Sequence, residues 1–403
     1  MTDADRNYLS AQNLEQKISD ALAIVLREKP KDGAGRMAEL LSAGPFAADH
    51  YLQTIGRTPL VRLDKMIPIG CKACIFAKME MQNPGGSIKD RIALNIIDEA
   101  EKSGKLKPGM ILVEATSGNT GIGLAMVAAA KGYKCIVCMP QVPSMLERYM
   151  IARMYGAEVH LTAAGLGAKG LLEYYENLCE SDRDVYFPTD QFNNPHNPEA
   201  HEKTTGPEVW AQTSGEVDIF IHGIGTGGCL AGAGKFLKAQ KPSVKIIGIE
   251  PTEARVHVGA PPAPHMTVGI GAGIVSNFLS MPDGQALPDP MPIDGVIDEW
   301  QHANGSEAIE YAKRACTLEG MMVGPSAGAA LKVALEVGMR PESEGKTIVV
   351  ILASHGIRYT AHPMWTDIKR EAAAALPTPP ILDVDVDVCQ WKSEEAPSDL
   401  RAS

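Results

Sequence analysis

The stretch "DIFIHGIGTGGCLAG", residues 218–232, runs from an Ile-rich apolar segment through a glycine loop into the apolar start of a helix. A segment that is apolar at nearly every position reads as a strand covered on both faces, as in parallel sheets. Parallel strands need crossover connections, usually helices. Other runs repeat the pattern: "CIFAKM" (74–79), "ILVEAT" (111–116), "KCIVCMP" (134–140), "AEVHLT" (157–162), "KIIGIEP" (245–251) and "TIVVILAS" (347–354). Helical segments are expected at 87–103, 119–131, 199–212, 229–240, 305–319 and 327–338. Strands alternating with helices predict an α/β protein with doubly wound, mostly parallel sheets. Pro-rich connectors fall at 260–264, 281–292 and 376–380, and no internal repeat is visible.

A chain of 403 residues buries a large core and has room for two or more domains. Its 45% hydrophobic and 22% charged content suits a globular enzyme. A net charge of −11 without a dense basic run argues against nucleic acid or an acidic membrane as partner. No apolar stretch reaches the roughly 18 residues that span a bilayer. The acidic, polar start "MTDADRNYLS" has neither signal nor transit character, so a cytoplasmic location is expected.

Eight cysteines are too sparse for a disulfide scaffold. Cys71 with Cys74 and Cys135 with Cys138 have metal-like spacing, but each pair belongs to an apolar run. Positions i and i+3 of a strand point to opposite faces and do not grip one ion, so no metal is expected. Asp383, Asp385 and Asp387 in "ILDVDVDVC" read as the solvated face of an edge strand.

In "MQNPGGSIKDR" (81–91), Pro84, Gly85 and Gly86 break regular structure, and Ser87 is suited to cap the helix that follows. Lys89 then sits in the first turn, where the positive end of the helix dipole disfavours a second positive charge. A lysine pushed toward its neutral amine is the form that makes a Schiff base. An ordinary solvated lysine in a capped helix fits the same residues.

Three further stretches offer chemistry. The loop "HGIGTGGCLAG" (222–232) presents backbone N–H groups and a helix N-terminus to a phosphate. Gly223, Gly225 and Gly228 also satisfy a dinucleotide fingerprint, with Glu250 at the end of the next strand, so an NAD-dependent oxidoreductase stays open. "VEATSGNTGIGLA" (113–125) sets Thr116, Ser117, Asn119 and Thr120 at a strand-to-helix turn that suits a small carboxylate. "VGPSAGAAL" (323–331) holds a G-x-S-x-G pattern at Ser326, but the acid-then-histidine order of a hydrolase is poorly met downstream.

An activated lysine, a phosphate cradle, a carboxylate loop and an isolated serine are together the parts of a pyridoxal phosphate enzyme. Over residues 51 to 360 the chain resembles the fold-type II, tryptophan synthase β-like enzymes, specifically the cysteine synthase (O-acetylserine sulfhydrylase) group. The motifs are "IGRTPLVRL" (55–63), "NPGGSIKDR", "ATSGNTGIGLA", "DQFNNPHNPEAHEKTTGPEVW" (190–210), "GIGTGG" (223–228), "GIGAG" (269–273) and "EGMMVGPSAGAA" (319–330). The resemblance implies pyridoxal 5'-phosphate as cofactor and Lys89 as the lysine that bonds it. The phosphate loop falls on Gly225, Thr226, Gly227, Gly228 and Cys229. The substrate-carboxylate loop falls on Thr116, Ser117, Gly118, Asn119 and Thr120, with Asn119 also facing the cofactor ring oxygen. Gln191 matches a second carboxylate contact, and Ser326 the hydroxyl that meets the pyridine nitrogen. A neutral hydroxyl does not hold that nitrogen protonated, which favours elimination of a β-leaving group over a long-lived carbanion. The implied reaction replaces the acetate of O-acetylserine with sulfide, giving cysteine, with freed Lys89 as general base.

The resemblance also implies a smaller mobile domain at 83–190, carrying the carboxylate loop, and a larger cofactor-binding domain made of 51–82 and 191–365. Residues 1–50 form an N-terminal helical extension and 366–403 a C-terminal tail. A homodimer and a serine acetyltransferase partner belong to the same expectation. Cys229 stands where the family usually has threonine, Ala115 replaces a common proline, and "SHGIRYTAHPMW" (354–365) departs from the usual S-x-G-E-R-Y. Cystathionine β-synthase and β-cyanoalanine synthase share most of these motifs and differ in the nucleophile. A catalytically silent relative with a binding or regulatory role shares the fold. In the extension, Leu14, Ile18, Leu22 and Val25 form a helical stripe, and Met37, Leu40 and Leu41 begin a second. The pair faintly resembles the dimerisation-and-docking hairpin of protein kinase A regulatory subunits. Such short helices need the catalytic body, a second subunit or a partner to cover them.

Overall fold

The computed structural model describes residues 50–279 and 295–375, with Leu22, Val25 and Ala48 as isolated positions. The expected N-terminal hairpin, the 281–292 and 376–380 connectors and the Asp383–Asp387 strand lie outside the described residues. The chain divides into one unit ending at Trp365 and a second, Thr366–Ser403. The second unit holds one described helix, Thr366–Ala374.

Among the described residues, ten strands form two sheets. The larger orders β1 (Leu60–Arg62), β2 (Cys74–Lys78), β10 (Thr347–Ile351), β7 (Val217–Gly223), β8 (Lys245–Pro251) and β9 (Glu299–Ala303) side by side. Of its described strand pairs, β1–β2 is antiparallel and the rest are parallel. The smaller sheet orders β5 (Glu158–Thr162), β4 (Lys134–Pro140), β3 (Ile111–Ala115) and β6 (Tyr186–Pro188), all parallel. The α/β expectation holds, with helices on both faces.

The continuous Ile/Val runs explain that covering. In β10, Ile348 and Val350 enter one core cluster while Val349 and Ile351 enter another. The first cluster is closed by the helix Pro325–Gly338, the second by Gly228–Gln240. Each such fully buried aliphatic side chain contributes about 1.5–3 kcal/mol. In the smaller sheet, Cys135 packs with the helices Lys89–Lys102 and Asn119–Lys131, and Cys138 packs against Gly167–Ser181 on the other face. The two thiols therefore point apart, as alternation along a strand requires.

Three expectations need correction. The helix drawn from 87 begins at Lys89, because Ser87 is held in an antiparallel bridge to Ser354. Ser87 still serves the helix, since its Oγ accepts the Lys89 N–H at 3.2 Å. The helix drawn over 199–212 is a composite of His196–Ala200, a π-turn at His201–Thr205 and Gly206–Gln212. Pro207 has no N–H to give to the carbonyl four residues back, and its ring crowds that carbonyl, which widens the preceding turn. Strands β1, β6 and β9 and the helices Leu146–Met154 and Gly167–Ser181 have no counterpart among the expected elements.

Candidate active site

The helices are numbered in chain order: α1 Lys89–Lys102, α2 Asn119–Lys131, α3 Leu146–Met154, α4 Gly167–Ser181, α5 His196–Ala200, α6 Gly206–Gln212, α7 Gly228–Gln240, α8 Gly305–Glu319 and α9 Pro325–Gly338. Their N-termini and the carboxyl ends of the strands build the cleft. β3 delivers the 116–120 loop to α2, β7 delivers the 224–227 loop to α7, and α1 and α9 bring Lys89 and Ser326. Ligands of open α/β sheets gather at such strand ends.

The cleft encloses about 250 Å³ and is lined by Lys89, the whole 116–120 loop, Gln191, Gly225 and Thr226, with Arg148, His265 and Tyr359 among the others. A narrower recess continues from Lys89 and Asn119 to Ser326. A larger hollow of about 650 Å³ beside α4 shares no residue with the cleft and includes none of the expected site residues. The structure therefore brings Lys89, Thr116, Ser117, Gly118, Asn119, Thr120, Gln191, Gly225, Thr226 and Ser326 to one connected space.

Lys89 is half-buried, and loss of solvent lowers its amine from the ordinary lysine range; Cys229 and Glu114 oppose that shift more weakly. A Cβ at Gly225 would lie 3.1 Å from the Gly269 carbonyl, tighter than ordinary contact, and 3.7 Å from Lys89 Nζ, so glycine lets the loop backbone pass close to both. Gly227 adopts φ +84°, which turns the loop into α7. The N–H groups of Gly225, Thr226 and Gly227 meet no acceptor among the described residues. Three free donors at the start of a helix fit a phosphate group. Thr226 is steadied from below: its Oγ1 accepts from Asn197 Nδ2 at 3.0 Å, and its carbonyl accepts from Ser276 Oγ at 2.5 Å. Gly228 packs on Asn197, while Cys229 lies in the apolar cluster beneath the loop and does not line the cleft. Its thiol is fully desolvated, which pushes its pKa up.

The carboxylate loop is braced in turn. Thr116 Oγ1 accepts the Gly118 N–H at 3.2 Å, and Thr120 Oγ1 donates to Gln191 Oε1 at 2.6 Å. Asn119 Nδ2 donates to the Tyr359 hydroxyl at 3.0 Å, and Arg358 donates to Asn119 Oδ1 at 3.2 Å. Tyr359 shares a 2.7 Å hydrogen bond with Ser354 Oγ, and the Arg148 guanidinium lies 4.8 Å above its ring. Arg148, Ser354, Arg358 and Tyr359 thus join the site beyond the residues that the motifs name. The S-x-G-x-R-Y spacing of residues 354–359 carried the signal for three of them; Arg148 had none.

Two rival readings lose their geometry. Glu250 is buried and its Oε1 accepts the backbone N–H of His257 and pairs with the His257 Nδ1, so it is enclosed beneath the surface and not presented to a ribose. Ser326 has no histidine partner among the described residues: His355 caps Ile357, and His362 binds the Met266 carbonyl.

Asp90 adjoins Lys89 from within. Burial raises its carboxyl to about 7, against the counter-pull of Arg358, while Oδ2 accepts the Gly85 N–H at 2.6 Å. The folded chain therefore keeps this proton between about pH 4 and pH 7, where the unfolded chain has lost it. Stability falls as pH rises through that window. Asp90→Asn keeps an acceptor for Gly85 and carries no charge, so the fall in Tm between pH 4 and 8 is expected to shrink. An unchanged slope would place the titration elsewhere.

Residues 51–354 match the family described as pyridoxal-phosphate dependent enzyme. The chain is 42% identical over 319 residues to a cysteine synthase of Staphylococcus aureus (strain N315), covering 79% of this chain and 97% of that protein. The crystal structure of O-acetyl serine sulfhydrylase isoform 3 from Entamoeba histolytica superposes with a TM-score of 0.73 at 39% identity, over 80% of this chain and 92% of that one. An O-acetylserine dependent cystathionine β-synthase from Helicobacter pylori gives a TM-score of 0.71 at 32% identity, over 79% of this chain and 99% of that one.

Proposed function

The chain belongs to the pyridoxal-phosphate dependent enzymes, and from that premise we propose that it is a cysteine synthase. It exchanges the acetate of O-acetylserine for sulfide in a two-step β-replacement. The observation that carries this reading is that the desolvated amine of Lys89 shares one cleft with the 116–120 loop and with Gly225 and Thr226. When bound, pyridoxal phosphate supplies the electron sink that makes the substrate α-proton acidic.

Every other part is a residue of this chain. Lys89 would hold the cofactor covalently and, once released, take the α-proton on Nζ and later return it. Burial favours the neutral amine that both tasks need. Gly225, Thr226, Gly227 and Gly228 would hold the phosphate through backbone donors, and Cys229 contributes its backbone at the helix start. Ser326 would meet the pyridine nitrogen with a neutral hydroxyl. Thr116, Ser117, Gly118, Asn119, Thr120 and Gln191 would bind the amino-acid carboxylate, with Asn119 also at the ring oxygen. Arg358 and Tyr359 fix the Asn119 amide.

The same reading assigns 83–190 to a smaller domain that closes on the substrate, supported by the four-stranded sheet that lies wholly within it. The larger domain comprises 51–82 and 191–365. A cytoplasmic homodimer with serine acetyltransferase as partner completes the reading. No helix among the described residues is long and apolar enough to cross a membrane.

The test pairs O-acetylserine or serine with sulfide, cyanide or homocysteine and identifies the product of each. Cysteine from O-acetylserine and sulfide is expected as the dominant product. β-Cyanoalanine or cystathionine as the faster product would reassign the nucleophile. No product from any pair, in a protein that keeps its yellow cofactor, would mark a silent relative.

A further inference from the structure

We propose that Glu114, on β3 behind the carboxylate loop, is a positioning residue that sets which way the Gln191 amide faces. This rests on the reading of Gln191 as a contact to the amino-acid carboxylate. Glu114 is fully enclosed, and its two oxygens are turned to the segment that follows β6. Oε2 accepts from Thr189 Oγ1 at 2.6 Å and from the Gln191 backbone N–H at 3.2 Å. Oε1 accepts from Gln191 Nε2 at 3.3 Å.

An ionised carboxylate accepts and never donates. It therefore admits only the Gln191 orientation with the NH₂ group toward Oε1. The amide oxygen is then left to accept the Thr120 hydroxyl at 2.6 Å. Nε2 keeps its second hydrogen, the donor that a substrate carboxylate in the cleft requires. With the amide turned over, two oxygens would oppose each other at Glu114, and Thr120 would face a donor. Glu114 lines the separate hollow beside α4 and not the cleft, and its hydrogen bonds reach the cleft through Gln191, while its charge weakly supports the protonated form of Lys89.

The device depends on charge. Burial raises the Glu114 carboxyl to about 7, and hydrogen bonds from Thr189 and Gln191 pull the other way. Asp190, Cys135, Cys138, Tyr175, Cys179 and Lys89 are the titratable groups that bear on it. A proton on Oε1 turns that oxygen into a donor and removes its preference for the NH₂ group. The KM for the amino acid is thus lowest above about pH 7 and rises as pH falls below it.

The test uses holoenzyme of the wild type, Glu114→Gln, Gln191→Ala and the double variant. In Glu114→Gln, whose amide can donate or accept, KM for O-acetylserine at pH 8 is expected to rise about tenfold, the scale of one hydrogen bond to a charged group. The turnover number should fall less than threefold, the substrate-free visible spectrum should stay, and the step in KM near pH 7 should vanish. In the Gln191→Ala background the Glu114→Gln change should add nothing to KM. Equal effects in both backgrounds, or a KM that Glu114→Gln leaves alone while Gln191→Ala raises it, would overturn the proposal. An unaltered KM in Gln191→Ala would instead overturn the reading beneath it. Should Glu114→Gln not fold, Glu114→Asp withdraws the carboxylate by one methylene and is judged by the same two comparisons.

Discussion

Lys89→Ala is expected to lose turnover by at least a thousandfold and to purify without the yellow of the wild type. Two functions end together, because the same Nζ would hold the cofactor and move the α-proton. General acid–base catalysis alone accounts for about 10²–10⁴-fold, and the lost covalent attachment comes on top. The fold should survive. Position 89 opens α1, alanine is a good helix former, and Lys89 takes part in no ion pair among the described residues. Steady-state turnover and the near-ultraviolet and visible spectrum decide the point. Turnover within tenfold of wild type would remove Lys89 from the chemistry.

The second large effect is one of stability. Arg91, two residues along α1, is buried and gripped by two carboxylates. It donates through Nε and Nη2 to Glu80, both at 2.7 Å, and through Nη1 and Nη2 to Glu208, again at 2.7 Å. Lys78, itself fully buried, meets the same Glu208 at 2.6 Å. Burial alone would raise the Glu80 carboxyl, but the Arg91 charge overrides it and holds the group at about 2. The network ties β2, the turn after it, α1 and α6 together at the root of the helix that carries Lys89.

Removing one partner of such a pair leaves buried charge uncompensated, at about 3–5 kcal/mol. Arg91→Ala should therefore unfold at markedly lower denaturant or temperature than the wild type. Arg91→Lys, which keeps the charge and loses the fork, should fall between. A loss below about 1 kcal/mol in Arg91→Ala would mean that water or side-chain movement relieves the carboxylates.

What the sequence made legible follows the covering of each element. The strands found by their Ile and Val content, such as β2, β3, β4, β7, β8 and β10, are mostly interior to their sheets and covered on two faces. The three without such a run, β1, β6 and β9, are all sheet edges. They are short or mixed in polarity, "LVR", "YFP" and "EWQHA", because an edge strand buries less and needs less apolar content. The helix α3 misleads in another way. Its apolar Leu146, Met150 and Met154 are exposed while Arg148 and Ala152 are buried, so its periodicity points outward.

The site was legible wherever loop chemistry is local. The glycine loop, the Thr/Ser/Asn turn and the lysine behind Pro-Gly-Gly-Ser each state their role within a few residues. Arg148 and Tyr359 could not be joined that way, since 211 positions separate them in the chain and only the packing of α3 against the 356–359 turn brings guanidinium to ring. Cys229 shows the converse limit. The motif places it in the phosphate loop without saying where its side chain goes, and the structure sets that thiol into the apolar cluster.

Borohydride reduction of the purified holoenzyme, followed by mass analysis of its proteolytic peptides, tests the central claim most directly. Reduction fixes the cofactor as a stable secondary amine on whichever lysine holds it. A phosphopyridoxyl group is expected on Lys89, in the peptide containing "NPGGSIKDR", with Lys78 unmodified. A label on any other lysine, or none in a protein that is yellow before reduction, would contradict it.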